Sequence, residues 1–379
     1  MSPVFHLDPD VHYLNCAYMS PIPASVEEAG RTGLARKRRP WTIHAADFFT
    51  EVEVVKQRFA SVLGSGRHAQ VAVLASVSYG MGIVARNLPL AAGQAIVVAG
   101  EQFPSNVYPW RRLCGGARAE LRTVAAPDTQ HERGAAWNEA LHDAIDARTA
   151  MLAIPHVHWT DGTKFDLVRL AARAREVGAL VVIDGTQSVG ALDFPFEAVR
   201  PDAVVCAAYK WLMGPYGMAF GWFGDAFAQG EPLEETWAGR EGSEDFRGLV
   251  AYTDEYGPGS QRFDVGQRAN FITLPMAIEA LRLVEEWGAS RIQAHTAALW
   301  APALAQLREA GYAMEDEAWR GSHLVGLRPP ASTDMSTVAS RLAEARIHVS
   351  LRGSSIRVSP HLYNTAADMD ALVQALNPA

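Results

Sequence analysis

Short apolar runs alternate with longer segments of helical periodicity through the middle of the chain. The runs are QVAVLA (70–75), QAIVVAG (94–100), MLAIPHV (151–157), ALVVID (179–184) and AVVCAAY (203–209). That alternation predicts βαβ units around a mostly parallel sheet, an α/β fold class. Between the third and fourth runs, DLVRLAARAREVG repeats apolar residues at helical spacing and stops at Gly178, as a helix crossing between parallel strands would.

After Phe271 the pattern changes. Two long helical stretches, TLPMAIEALRLVEEWG and ASRIQAHTAALWAPALAQLREAG, lead into short strands expected near YAMED, HLVGLRP, HVSLRG and SIRVSP, and DMDALVQAL closes as an amphipathic helix. The expected division is an N-terminal segment (1–20), a large domain (21–265) and a smaller C-terminal α+β domain (266–379). With no repeat, low-complexity tract or linker between them, the two domains should pack directly on each other.

Composition narrows the function classes. A chain of 379 residues with 49% hydrophobic and 20% charged residues can bury more than one simple core. Its net charge of −8 gives no general attraction to nucleic acid or anionic lipid, so a small-molecule substrate is expected, with no nucleic-acid partner. The one basic run, RKRR at 36–39, reads as a solvated helix face before Pro40. Cys16, Cys114 and Cys206 lack CxxC or metal-ligand spacing, which argues against a disulfide framework or a zinc site and fits a reducing cytoplasm. No stretch approaches the length of an apolar membrane span and MSPVFHLDPDVHYLN lacks a signal-peptide pattern, so a soluble, unexported protein is expected, with no membrane partner.

Lysine is scarce: only Lys37, Lys56, Lys164 and Lys210 occur. Lys37 lies in the basic run and Lys56 in a charged amphipathic stretch, both expected to be solvated, and Lys164 follows a DGT turn. Lys210 instead ends an apolar strand and precedes the glycine-bearing turn WLMGPYG. Asp184 ends ALVVID in the same way, and the C-terminal ends of neighbouring parallel strands converge where open α/β sheets bind ligands. A lysine that can form an imine beside a carboxylate that can hold a pyridinium proton is the pair that pyridoxal chemistry needs.

DGTQSVG followed by AAYKWLMGPYG resembles the cofactor signature of class V aminotransferases, the group that holds cysteine desulfurases, kynureninases and isopenicillin N epimerase-like proteins. YLNCAYMSPIP, EQFPSNVYPW, RFDVGQRANF and IRVSPHLYNT resemble other segments of that group, in order and over nearly the whole chain. The resemblance implies a fold-type-I pyridoxal 5′-phosphate (PLP) enzyme, with a large domain built on a mostly parallel sheet of seven-stranded type and flanked by helices. It makes Lys210 the Schiff-base lysine, Asp184 the partner of the ring nitrogen, Gln187 the partner of the phenolic oxygen and Phe103 the residue stacked on the ring. Val77 and Ser78, at a strand-to-helix turn, would hold the phosphate together with Tyr209, which stands where desulfurases have a histidine. Gln267 and Asn270 match a segment that reaches the phosphate of the other subunit, which implies a homodimer with shared active sites. Arg357 would clamp the substrate carboxylate, with Arg352 as a possible helper. In HVHWTDGT, His158 and Trp159 would line the pocket, Trp159 standing where desulfurases have asparagine.

One departure bears on chemistry. Desulfurases carry a nucleophilic cysteine shortly before the carboxylate-binding arginine, and here that interval reads HVSLRGSSIRVSP, with no cysteine after Cys206. A persulfide at that place is therefore excluded, and Cys16 is the thiol nearest the expected site. The expected function is a PLP-dependent enzyme that acts on an amino acid or related amine through an external aldimine and loss of the Cα proton, in the first instance an aminotransferase. The alternatives are a β-lyase or epimerase, or a non-catalytic PLP-binding protein. A Rossmann oxidoreductase is the weakest rival, because no GxGxxG follows an early strand.

Overall fold

The computed structural model describes residues 4–129, 131–353 and 355–377. The strands in chain order are β1 (His12–Tyr13), β2 (Val71–Leu74), β3 (Ala95–Ala99), β4 (Glu120–Val124), β5 (Thr149–Pro155), β6 (Leu180–Asp184), β7 (Ala203–Ala207), β8 (Ala219–Phe223), β9 (Val325–Leu327), β10 (Ile347–His348), β11 (Ser350–Arg352) and β12 (Ser355–Val358). β2 to β8 form one sheet in the order β2-β8-β7-β6-β5-β3-β4. β8 runs against both of its neighbours and the remaining pairs are parallel.

The five apolar runs read from the sequence are β2, β3, β5, β6 and β7. They carry almost unbroken hydrophobic stretches because helices cover both faces of the sheet. On one face Phe59, Leu63, Trp137, Leu170 and Ala174 pack against Val73, Leu152, Ile154 and Ile183; on the other, Met81, Val84 and Trp110 pack against Ile96, Val98 and Val205. The crossover helix is Leu167–Glu176: the Asp166 carboxylate accepts the Arg169 amide at 3.1 Å to cap its start, and Gly178 at φ 76° turns the chain out.

The helix Thr273–Trp287 packs on Ala24–Arg36 and Thr50–Leu63, and Leu274, Ala277 and Leu281 join the core of the large sheet. The contact is so close that a Cβ on Gly33 would stand 2.1 Å from the Phe271 carbonyl oxygen. A second core lies farther along the chain, where Trp300, Leu304 and Leu307 of the helix Ala289–Glu309 meet the antiparallel sheet β11-β12-β9 and Met369 and Leu372 of the helix Ala366–Leu376. Leu14 belongs to this second core, because β1 pairs in parallel with β10.

Two details differ from expectation. YAMED forms only an isolated bridge, Ala313 to Arg328, and HVSLRG breaks at Val349 into two strands that serve different sheets. Among the described residues no helix is long and apolar enough to cross a membrane, and no cluster of metal-ligating side chains occurs.

Candidate active site

Five connections leave the C-terminal ends of β2, β3, β5, β6 and β7, and together they wall a cavity of about 280 Å³. Ser76, Val77 and Ser78 come from the turn after β2, Gln102, Phe103, Ser105 and Asn106 from the loop after β3, and Val157 and Trp159 from the loop after β5. Asp184, Thr186 and Gln187 follow from β6, and Tyr209, Lys210 and Tyr216 from the loop after β7. This is the crevice that a sheet with diverging connections leaves open at its carboxyl edge.

Lys210 is 7% exposed. Its ammonium has no hydrogen-bond or ion-pair partner among the described residues, and stands 5.5 Å from the ring centres of both Phe103 and Tyr209. Burial, reinforced by the positive charge of Arg357, pulls its pKa down to about 8. A buried amine that loses its proton this readily is suited to act as nucleophile and base. Met213, three residues on, adopts a left-handed backbone at φ 54°, and its amide donates to the Lys210 carbonyl at 3.0 Å, so the lysine sits on a tightly folded turn.

Asp184 is also buried, and its Oδ1 accepts the Thr186 amide at 3.0 Å. Burial raises its pKa, opposed by the hydrogen bonds from Thr186 and by the charge of Lys210. A cationic ring N–H placed against this carboxylate would offset that desolvation. The Ser76 side chain caps the helix Val77–Asn87 by accepting the Tyr79 amide at 3.1 Å, which leaves the first-turn amides of Val77 and Ser78 without intrahelical acceptors at the cavity wall. Ser78 Oγ donates to Ser105 Oγ at 2.8 Å, which adds two hydroxyls to that anion-binding corner. Glu101, left-handed at φ 53°, turns the chain so that Phe103 faces the lysine; its carbonyl accepts the Trp159 indole N–H at 2.7 Å, and the rings of Trp159 and Phe103 meet edge to face. An amine, a carboxylate, an aromatic face and a helix N-terminus around one cavity are the groups that a pyridoxal phosphate molecule requires, and the residues fit it.

The side chain of Gln187 is already engaged at both ends, donating to the Ala17 carbonyl at 3.1 Å and accepting the Trp211 indole N–H at 2.9 Å, with its second amide hydrogen left over. Arg357, in β12, is 2% exposed and lies behind the wall, donating to the Trp159 carbonyl at 2.8 Å and to Ser350 Oγ at 3.2 Å. Its guanidinium has no carboxylate among the described residues, and burial lowers its pKa to about 9. The cavity region therefore holds more buried positive than negative charge, which suits an anionic ligand.

Several expectations need correction. His158 does not line the cavity: its Nε2 donates to the Gly100 carbonyl at 3.1 Å, and its Nδ1 meets Thr160 Oγ1 at 2.9 Å and Asp161 Oδ1 at 3.3 Å, so its ring is committed to holding the loop. Gln267 and Asn270 call for no correction: matched to a segment that reaches the other subunit, they lie apart from this chain's cavity and are exposed, and Asn270 Oδ1 accepts the Ile272 and Thr273 amides at the start of the following helix. Lys56 is not solvated but buried, with its ammonium 2.8 Å from Asp264. Arg268 binds the same carboxylate, whose other oxygen accepts the Val73 amide at 2.7 Å. All three cysteines are buried free thiols, and burial raises the pKa of each, most strongly at Cys16 and Cys206. The residues that sequence reasoning did not single out are Ser76, Gln102, Ser105, Asn106, Thr186 and Tyr216.

The family model for aminotransferase class-V matches residues 31–372. The chain is 26% identical over 320 residues to the uncharacterized aminotransferase YcbU of Bacillus subtilis, covering 84% of this chain and 81% of that one. It is 26% identical to the isopenicillin N epimerase of Streptomyces clavuligerus, covering 98% of this chain and 95% of that one. Among solved structures, a cysteine desulfurase from Thermococcus onnurineus superposes with a TM-score of 0.80 at 19% identity over 96% of this chain and 93% of that one. A cystine C-S lyase, C-DES, superposes with a TM-score of 0.84 at 18% identity over 97% of both chains. The superpositions place the fold in the same class.

Proposed function

The chain belongs to the aminotransferase class-V family of PLP enzymes, and on that premise we propose that it is an aminotransferase acting on an amino acid or related amine. The observation that carries the reading is the partnerless, buried Lys210 sharing one cavity with the buried carboxylate of Asp184. When bound, the cofactor supplies an aldehyde for covalent attachment and an electron-withdrawing ring.

Lys210 would be the residue that holds the cofactor covalently, and its amine, buried and readily deprotonated, would also be the base that takes and returns the proton at the substrate Cα. Asp184 would accept the ring N–H and so favour the protonated ring. The amides of Val77 and Ser78, with the hydroxyls of Ser78 and Tyr209, would hold the phosphate; Phe103 would offer its face to the ring and Gln187 its remaining N–H to the phenolic oxygen. Trp159 closes the substrate side, and Arg357 takes the substrate carboxylate in a two-point contact. Gln267 and Asn270, exposed on one protomer, would complete the phosphate site of the second subunit of a homodimer. The division proposed is an N-terminal segment (1–20), a large cofactor-binding domain (21–265) and a smaller C-terminal domain (266–379), and the free thiols fit a cytoplasmic enzyme.

Amino transfer turns the donor into a 2-oxo acid, and a second 2-oxo acid takes up the nitrogen. A specific observation favours epimerisation as the second reading: the likeness to isopenicillin N epimerase runs over nearly the whole of both chains. The two readings separate when the holoenzyme is given amino acids with and without a 2-oxo acid in deuterated water. Amino transfer consumes the 2-oxo acid and yields a new one. Inversion at Cα with deuterium uptake and no need for a 2-oxo acid would replace the aminotransferase reading, and ammonia or sulfide release would point to a lyase.

A further inference from the structure

The hairpin of β11 and β12 pairs Ser350 with Arg357 and Arg352 with Ser355. Side chains alternate between the faces of a sheet, so Arg352 and Arg357 share one face as diagonal neighbours, separated by about 7–8 Å at the backbone. That face is turned to Trp159. The Arg357 guanidinium donates to the Trp159 carbonyl at 2.8 Å, and the Arg352 guanidinium carbon stands 5.7 Å from the centre of a Trp159 ring.

Neither arginine has a carboxylate among the described residues, and the Nε of each is buried without a partner. Two other arginines with little exposure are answered by carboxylates, Arg133 between Asp161 and Glu315 and Arg268 against Asp264, while buried Arg320 rests on the Glu315 carbonyl. Two like charges set side by side against Trp159, itself a residue of the cavity wall, with the protein's own carboxylates kept away, leave room for anions supplied from outside. A single α-carboxylate occupies one guanidinium fork and leaves the second unanswered.

We infer that the substrate pocket receives two carboxylates at once, Arg357 taking the one beside the amine and Arg352 the one on the side chain, so that the amino donor is a dicarboxylic amino acid of the aspartate or glutamate type. The inference rests on the amino-acid reading of this site proposed above. Trp159 is the common support, its carbonyl fixing one guanidinium and its indole face carrying the other, an arrangement favourable to a planar cation.

The test is equilibrium binding of glutarate and butyrate, two chains that differ in the second carboxylate, to the PLP-loaded protein by calorimetry, alongside turnover of glutamate and glutamine. Wild type should bind glutarate at least about tenfold more tightly than butyrate, Arg352→Gln should remove that gap while leaving butyrate binding in place, and Arg352→Lys should keep part of it. The glutamate preference over glutamine in kcat/KM should fall by a similar factor in Arg352→Gln. Equal affinities in wild type, a gap that survives Arg352→Gln, or an equal loss for both ligands would overturn the inference. An unchanged melting temperature and cofactor absorbance identify a folded variant, and Arg352→Lys supplies the second measurement if Arg352→Gln does not fold. A binding gap without turnover of any amino acid would instead overturn the aminotransferase proposal.

Discussion

Arg357 donates to the main-chain carbonyl of Trp159 at 2.8 Å, so an arginine of the C-terminal sheet is positioned by the backbone of the residue whose indole walls the cavity. Its aim thus depends on the loop after β5 and not on a carboxylate. Arg357→Ala should raise KM for a carboxylate-bearing substrate by about tenfold to a hundredfold, the equivalent of a lost charge-assisted pair, while cofactor absorbance stays as in wild type. Steady-state kinetics check this, and an unchanged KM would remove Arg357 from the substrate site.

Lys210 should destabilise the cofactor-free protein. Burial lowers its pKa to about 8 from about 10.5, so between those values the unfolded chain binds more protons than the folded one and stability rises with pH. Below the folded value the buried charge costs on the order of 3 kcal/mol. Lys210→Met should therefore raise the urea midpoint of the cofactor-free protein near neutral pH, by an amount that shrinks as the pH approaches 10. The same substitution should abolish borohydride-fixed attachment of the cofactor.

Asp264 is the sole carboxylate facing two buried cations, Lys56 and Arg268, among the described residues. Its removal leaves both charges unanswered and frees the Val73 amide at the end of the large sheet. Asp264→Ala should cost about 3–5 kcal/mol in a denaturant titration. Asp264→Glu, which keeps the charge in a tightly packed place, should lose less.

Three buried histidines set an acid limit. Burial lowers the pKa of His156 and His361 to about 3 and that of His323 to about 4. The unfolded chain takes up these protons below about 6.5 and the folded chain resists them, so stability is lost as the pH falls from about 6.5 toward 4. Both ring nitrogens of His361 lack partners among the described residues, and its aromatic neighbours are Trp211, Trp287 and Tyr363. His361→Phe should flatten the fall by about 1.4 kcal/mol per pH unit across that window, visible as urea midpoints that change less steeply with pH.

The parallel strands were legible because both of their faces are covered, which leaves an unmistakable apolar run. β4 was not, because ELRTV is an edge strand with exposed positions and reads as polar. β8 was hidden by its closeness to the glycine turn that precedes it, a connection short enough to reverse the chain. Asp184 and Lys210 could be paired from sequence because Asp184 ends β6 and Lys210 follows the end of the neighbouring β7 by three residues. The orientation of His158 could not, since its partners Gly100, Thr160 and Asp161 are fixed by how the loop folds back. Ser105 and Thr186 reach the cavity from different strands, and no spacing in the chain announces their meeting. Gln267 and Asn270 lie outside the cavity, exposed beside the start of the helix Thr273–Trp287, and no pattern within one chain says what they face.

β1 pairs with β10, and Asn15 accepts the Ser350 hydroxyl across a separation of 335 residues. Ser350 in turn accepts from Arg357, and the carbonyl of Ala17, two residues past Asn15, accepts from Gln187. The segment around Asn15 thus finds its place only once Ser350, 335 residues later, and its strand are there to meet it. A chain cut before β10 would keep Lys210 and Asp184 yet leave the segment that braces Gln187 without its strand partner.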